Sequence, residues 1–418
     1  MNHSRVLGTA VLGACLLLPA CQDAQQSVPA RPPNVVLISI DGMRGDRAHF
    51  NGHHRQTTPS LDAFAEAAVR FPNAFSQSNE SLLSHAAMFT GRYSSEIGWP
   101  DYLKYIVPPG EQTIAEVMRT NGYATGGFTA GGHVKERYGL AQGFDEFVEG
   151  PEFGSFHATV PNALSWLDQQ TDEAPLFLFL HGYDCHRPYG KAGFFHHPFP
   201  DTEPLDPKME RAMRGRMWSE LIFNGVDYSN WFREDLASLV VHHENGERIL
   251  NTDLYTRLAS QREEVPQTHY RQLSPKVIEH LRAHYDAGIL SADTHIGMFL
   301  QGLHERDMWD NTIVIVTSDH GEDLQDHGYS NHRAVLFDST TLVPFLIGGG
   351  ALPAAHRGTT RLDYVQAIDI MGTVTGIGGI GLPATTRGTD LWSRLNEPPP
   401  DTDTARVFQQ GVMGQSSI

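Results

Sequence analysis

Three stretches of this chain read as strands that are buried on both faces, and they constrain the fold more than anything else. Asn34 to Ile40, Leu176 to Leu180 and Thr312 to Ser318 are continuous, largely β-branched or aromatic runs. A strand with one wet face would alternate polar and apolar residues; these do not. Leu342 to Ile347 reads as a fourth. Helical segments fall between them. One runs from about Ser60 to Arg70, with Thr58 as cap and Pro59 as first residue. Another lies around His85 to Gly91, and a third runs from Thr113 to Thr120. A long one begins at Pro275, after Ser274, and reaches about Glu305 with one or two breaks. Such alternation predicts an α/β fold with a mostly parallel central sheet and helices on both faces. The length of 418 residues adds a smaller C-terminal appendage over 351–418, with a helical stretch near Tyr364 to Met371.

The start of the chain reads as a targeting segment. His3 and Arg5 precede an apolar run, Val6 to Leu18, that is short for a membrane span. The run ends in Leu-Pro-Ala-Cys at 18–21 and resembles a bacterial lipoprotein signal over 1–20. That resemblance implies lipid on Cys21 and, from Gln22, an exported protein anchored in the outer membrane, facing the periplasm or the cell surface. Residues 21–33 would be its tether. The formal charge of -18 argues against a nucleic-acid partner, although a metal and local cations can still gather an anionic small substrate in one cleft.

In a parallel sheet the ligand site lies beyond the carboxyl ends of the strands. Here those ends carry Asp41, the segment His181 to His186, and Asp319-His320. Two carboxylates and an imidazole suit one divalent cation. Oxygen donors favour Ca²⁺ or Mg²⁺, and further histidines would tilt the site toward Zn²⁺ or Mn²⁺. Asp46 is a candidate for the metal or for the shell behind it; Arg92, His133 and Arg333 are candidates for the pocket wall. Residues 188–272 form an irregular insert that would shape substrate access. Cys185 reads as a small buried hydrophobe.

From Pro33 to at least Gly388 the chain resembles the sulfatase family, within the alkaline-phosphatase-like superfamily. The resemblance rests on Asn34–Asp41, Thr58-Pro-Ser-Leu-Asp62, Ser81-Leu-Leu-Ser84-His85 with Thr90-Gly-Arg-Tyr93, and Gly143-Phe-Asp-Glu-Phe147. It continues through Asp184-Cys-His186-Arg-Pro188-Tyr189 and Ser318-Asp-His-Gly-Glu322 with His327-Gly328 and His332. It implies a catalytic α/β domain over 34–350, metal ligation by Asp41, Asp319 and His320, and Ser81 as nucleophile, with formylglycine as its modified form. His186 would give a proton to the leaving oxygen, His332 would face the transferred group, and His85 would meet the substrate. The implied activity is hydrolysis of a sulfate ester, on a sulfated glycan or a small aryl sulfate, with Ca²⁺ as the expected ion.

The family motif Cys-X-Pro-X-Arg is nevertheless absent, because Ser81, Leu83 and His85 occupy its positions. Gly42 stands where a second metal-binding aspartate is usual, and Gly131 where a lysine is usual. Two alternatives therefore stay open. One is a phosphodiesterase, phosphonate-ester hydrolase or phosphoryl transferase that uses unmodified Ser81; the other is a metal-binding lipoprotein without turnover.

Overall fold

The computed structural model describes residues 1, 31–97, 106–171, 173–187, 189, 198–203, 240–242, 248–250, 275–328, 332, 336–398, 407–411 and 416–417. The chain divides into Met1–Arg31 and Pro32–Ile418. Of the first unit only Met1 and Arg31 are described, and every element below belongs to the second.

The central sheet is built on β1 (Asn34–Ile40), whose seven residues are all buried. It lies between two parallel neighbours, β6 (Leu176–Gly182) and β9 (Thr312–Thr317), with Val35 opposite both Phe177 and Ile313. Beyond β6 the sheet continues in parallel through β4 (Ala124–Thr129) and β5 (Glu146–Glu149). Beyond β9 it turns antiparallel through β11 (Phe345–Gly348) and β2 (Val69–Arg70). The result is a mixed seven-stranded sheet with order β2-β11-β9-β1-β6-β4-β5.

Side chains alternate across a strand, so each face has its own core. Val35, Leu37, Phe177, Phe179, Ile313 and Ile315 pack with α2 (Ser81–Thr90) and α3 (Ile114–Thr120). Val36, Ile38, Leu178, Leu180, Val314 and Val316 face α1 (Pro59–Ala65), α4 (Phe156–Leu167) and the 31-residue α5 (Pro275–Glu305). Helix α5 is unbroken, against the one or two breaks expected. The first helix stops at Ala65 rather than Arg70, because Val69 and Arg70 leave it to pair with β11. Its first-turn N–H groups are not capped by Thr58; the carboxylate of Asp293 on α5 accepts from Ser60 N and Leu61 N at 2.9 and 2.7 Å.

The stretch Leu342 to Ile347 is two strands, not one. Pro344 brings no N–H to a ladder, and the chain changes sheets there. Leu342–Val343 (β10) pairs with β3 (Asn73–Phe75), while β11 joins the central sheet. The expected helix at Tyr364 to Met371 is also divided. Tyr364–Gln366 (β12) adds to β3, and the helix, α7 after the short α6 (Asp338–Thr341), runs Asp369–Ile377. Ile370, Met371 and Val374 of α7 share the core of Val35 and Leu37, so the segment after Gly350 is packed onto the sheet. Within 188–272 the described residues are Tyr189, 198–203 and an antiparallel pair, Val240–His242 (β7) with Arg248–Leu250 (β8).

Candidate active site

The ends of β1 and β9 are laced into one turn-to-turn contact. Asp319 Oδ1 accepts from Gly42 N at 3.0 Å and from His320 N at 2.9 Å, and Ser318 Oγ accepts from Met43 N at 3.0 Å. Gly42 has φ +73°, a left-handed conformation that glycine tolerates. From the other side, the Tyr285 phenol of α5 donates to Gly42 O at 2.6 Å and accepts from Arg44 N at 2.8 Å.

These contacts fix what is left over. Asp319 Oδ2 is buried and has no hydrogen-bond partner. His320 Nδ1 lies 2.8 Å from Gly321 O, which can only accept, so the ring hydrogen is on Nδ1 and Nε2 carries a lone pair. Asp41, Asp319 and His320 are all buried, and each offers one ligand atom within 4.8 Å of the others. Two facing buried carboxylates, one with an orphaned oxygen, and an imidazole lone pair fit a divalent cation; without one, the pair is costly to keep ionised.

Ser81 is the first residue of α2, where the sequence suggested a helix starting after it. Glu80 provides no side-chain cap, so the positive end of the helix is presented with Ser81 upon it. Ser81 Oγ is 3.2 Å from His320 Nε2 and, given the tautomer above, is the donor. The Tyr183 phenol interacts with the same hydroxyl and accepts from His133 N at 2.9 Å; burial pushes its pKa well up, so it stays protonated. Ser84 Oγ ties the helix to β9 by donating to Asp319 O at 2.5 Å.

His85 takes a different position from the substrate contact expected of it. It is fully buried; its Nδ1 donates to Ser81 O at 2.7 Å and its Nε2 lies 3.0 Å from Ser39 Oγ. Burial lowers its pKa, more than Asp319 raises it, so the ring is a neutral brace behind Ser81. His186, His332 and His133 do gather near the cluster. His332 stacks on His320 with centroids 4.3 Å apart, His186 lies 5.5 Å from His332, and Phe153 joins His186 to His133. Glu322 is fully buried, with Oε1 3.3 Å from His332 Nδ1.

Two candidates are not brought in. Arg92 lies past the opposite end of α2 and is held by both carboxylate oxygens of Glu111, at 2.8 and 2.6 Å. Asp46 turns away to a paired contact with the Arg44 guanidinium at 2.8 and 2.7 Å. Arg333 and Cys21 lie outside the described residues. Cys185 is buried, and burial raises its thiol pKa well above the usual value, which removes it as a nucleophile. The sequence reading singled out the segments that hold His181, Tyr183 and Glu322 but gave none of the three a role of its own. His181 continues β6 past Leu180, Tyr183 follows the end of the strand at Gly182, and Glu322 closes the Ser318–Glu322 segment.

A model of the sulfatase family matches residues 33–380, and the chain belongs to that family. Among relatives, the ulvan-active sulfatase of Formosa agariphila is 26% identical over 92% of this chain and 70% of its own. The arylsulfatase of Clostridium perfringens is 24% identical over 87% and 79%. A protein solved with its substrate D-glucosamine-2-N,6-O-disulfate superposes with a TM-score of 0.65, at 20% identity over 91% of this chain and 84% of its own. The phosphonate monoester hydrolase of Agrobacterium radiobacter superposes at 0.62, with 19% identity over 90% and 79%. These structural likenesses speak for the fold.

Proposed function

We propose that this chain is a metal-dependent sulfuric ester hydrolase in which residue 81 is the nucleophile. One observation carries the reading: the Ser81 oxygen sits on the uncapped start of α2 and touches His320 at the edge of the Asp41, Asp319 and His320 cluster. A cation held by those three would neutralise charge on the transferred oxygens and acidify a bound hydroxyl. On oxygen donors alone Ca²⁺ is the first candidate. The helix start favours the same anionic group, and the ring contact of His186 with His332 supports it as the group that would protonate the leaving oxygen.

As a formylglycine hydrate, residue 81 would attack sulfur with one hydroxyl, and the alcohol would leave with a proton. Loss of the second hydroxyl's proton would then restore the aldehyde and expel sulfate. The relatives named for ulvan and for aryl substrates support a sulfated glycan or a small aryl sulfate. The Leu-Pro-Ala-Cys segment supports an exported, lipid-anchored protein of the outer membrane.

A second reading is favoured by what surrounds Ser81. Leu83 and His85 are wholly buried and replace the proline and arginine of the sulfatase motif. An unmodified Ser81 would form a covalent ester that suits phosphoryl or phosphonyl transfer better than sulfuryl transfer.

Intact mass of the 78–92 peptide, with turnover of an aryl sulfate and a phosphodiester, separates the two. Loss of two hydrogens at residue 81 with sulfate release supports the first. An unmodified peptide with phosphodiester or phosphonate turnover overturns it. Metal retention with no turnover of either substrate leaves the binding lipoprotein. Ser81→Ala should lower kcat by about three orders of magnitude or more while leaving metal content unchanged.

A further inference from the structure

An aromatic residue bent into a left-handed backbone stands against His186. Among the described residues, Phe153, Asp307 and Gln325 combine a side chain with a positive φ. Asp307 and Gln325 are polar, whereas Phe153, at φ +51°, is bulky and apolar. In that region the Cβ of an L-residue crowds its own carbonyl. The conformation persists only where the surroundings impose it, and here they do. Gly150 N donates to Thr129 O at 2.6 Å, and Gly154 N donates to Ala130 O at 3.0 Å. Gly154 O in turn accepts from Tyr183 N at 3.0 Å, so the segment around Phe153 is pinned to the carboxyl ends of β4 and β6. Gly131 makes room for it, since a Cβ there would lie 3.1 Å from Pro151 O and 3.2 Å from Gly150 O.

The bend places one ring. Phe153 is half-buried and lies nearly flat on His186, with centroids 5.4 Å and planes 15° apart. It meets Tyr183 at 5.2 Å and His133 at 6.2 Å in edge-to-face contacts. His186 is also met edge-on by Tyr183 at 5.3 Å and at a tilt by His332 at 5.5 Å. Of these three rings Phe153 alone lies along the imidazole plane, and it carries no polar atom to draw a proton away. The His186 Nδ1 donates to Arg187 O at 2.7 Å. That carbonyl can only accept, so a proton passed to a substrate leaves from Nε2.

We propose that Phe153 is a positioning residue, whose ring, turned by a strained backbone, holds the His186 imidazole at the angle from which Nε2 protonates the leaving oxygen. This rests on the reading of His186 as proton donor given above, but not on whether sulfur or phosphorus is attacked. As the bond from that atom to the leaving oxygen breaks, its electron pair stays on the oxygen. The oxygen takes the Nε2 proton, and the imidazolium becomes a neutral imidazole. A good leaving group departs as an anion with little need of this proton, whereas a poor one depends on it.

The test measures kcat and KM of the full chain for para-nitrophenyl and para-methoxyphenyl sulfate, and for the matching methyl aryl phosphodiesters. With the methoxyphenyl ester Phe153→Ala should lower kcat about 100-fold, the cost of a misplacement of about 1 Å. The loss should be several times smaller with the nitrophenyl ester, and KM should hardly move. Phe153→Tyr keeps the ring face and should stay within about threefold of wild type. His186→Ala should show the same dependence on leaving group with a loss of about 100- to 10,000-fold, and adding Phe153→Ala to it should cost little more. In urea, Phe153→Gly should unfold at higher denaturant than Phe153→Ala, because glycine accepts the positive φ freely; the reverse order overturns the strained placement. Equal losses on both esters in Phe153→Ala, or a loss carried by KM, overturn the proposal while His186 keeps its role. Equal losses in His186→Ala overturn the proton-donor reading and the proposal with it. A wild type that turns over neither class of ester overturns the hydrolase reading as well.

Discussion

Replacing Tyr285 by Phe tests how α5 holds the metal-binding turn. The phenol is fully buried, and burial raises its pKa so far that it remains a donor. It donates to Gly42 O at 2.6 Å and accepts from Arg44 N at 2.8 Å, so one oxygen satisfies two backbone groups of the turn after Asp41. Phe keeps the ring and its edge contact with Tyr189, at 5.6 Å, and removes only that oxygen. Each buried backbone group left without a partner costs about 1–3 kcal/mol. With some relaxation, we expect a loss of about 2–4 kcal/mol in urea unfolding at an unchanged m-value. The turn also sets the direction of Asp41, so divalent-ion affinity should fall about 10–100-fold, as it does when an outer partner of a ligand is removed. A stability change below about 0.5 kcal/mol together with unchanged metal affinity would refute the argument. It would mean that the Asp319 and Ser318 contacts hold the turn without help from α5.

Two further outcomes follow from single residues. Asp293, which caps α1, titrates at about 6 because burial outweighs the N–H groups of Ser60 and Leu61, against about 3.9 for an unfolded aspartate. Between those values the folded state keeps a proton that the unfolded state has lost, so its contribution to stability falls as pH rises from about 4 to about 6, by at most about 3 kcal/mol. Asp293→Asn does not titrate, so the wild-type minus variant stability difference should drop over that window; parallel curves from pH 4 to 7 would sink the assignment. Gly132 has φ +62°, and a Cβ there would lie 2.5 Å from Tyr183 Oη. Gly132→Ala should therefore cost about 1–2 kcal/mol from the backbone alone and lower turnover by displacing Tyr183; wild-type stability and kcat would show that the loop yields freely.

Strand interiors and strand ends were legible in the sequence because each is specified locally. Val35 to Ile40 and Ile313 to Val316 are apolar on both faces save for Ser39, which only a sheet covered on both sides can bury. The residue after such a strand is then forced to the ligand-binding edge, where Asp41 and Asp319 stand. What was not legible depends on how far an element runs and what crosses it from elsewhere. Arg92 follows Ser81 closely in the sequence, but the ten-residue helix between them carries it about 15 Å away, to Glu111. The cap of α1 comes from Asp293, more than two hundred residues on, and no local pattern at Thr58 could announce it. His181 is the instructive case. Phe177 and Phe179 face α2, and period-two alternation puts the next odd residue on that side, beneath Ser81. The sequence reading ended this strand at Leu180 and put His181 in the polar segment beyond it, whereas β6 extends through Gly182. Two more residues of strand bury that imidazole, with its Nε2 3.6 Å from Asp41 Oδ2.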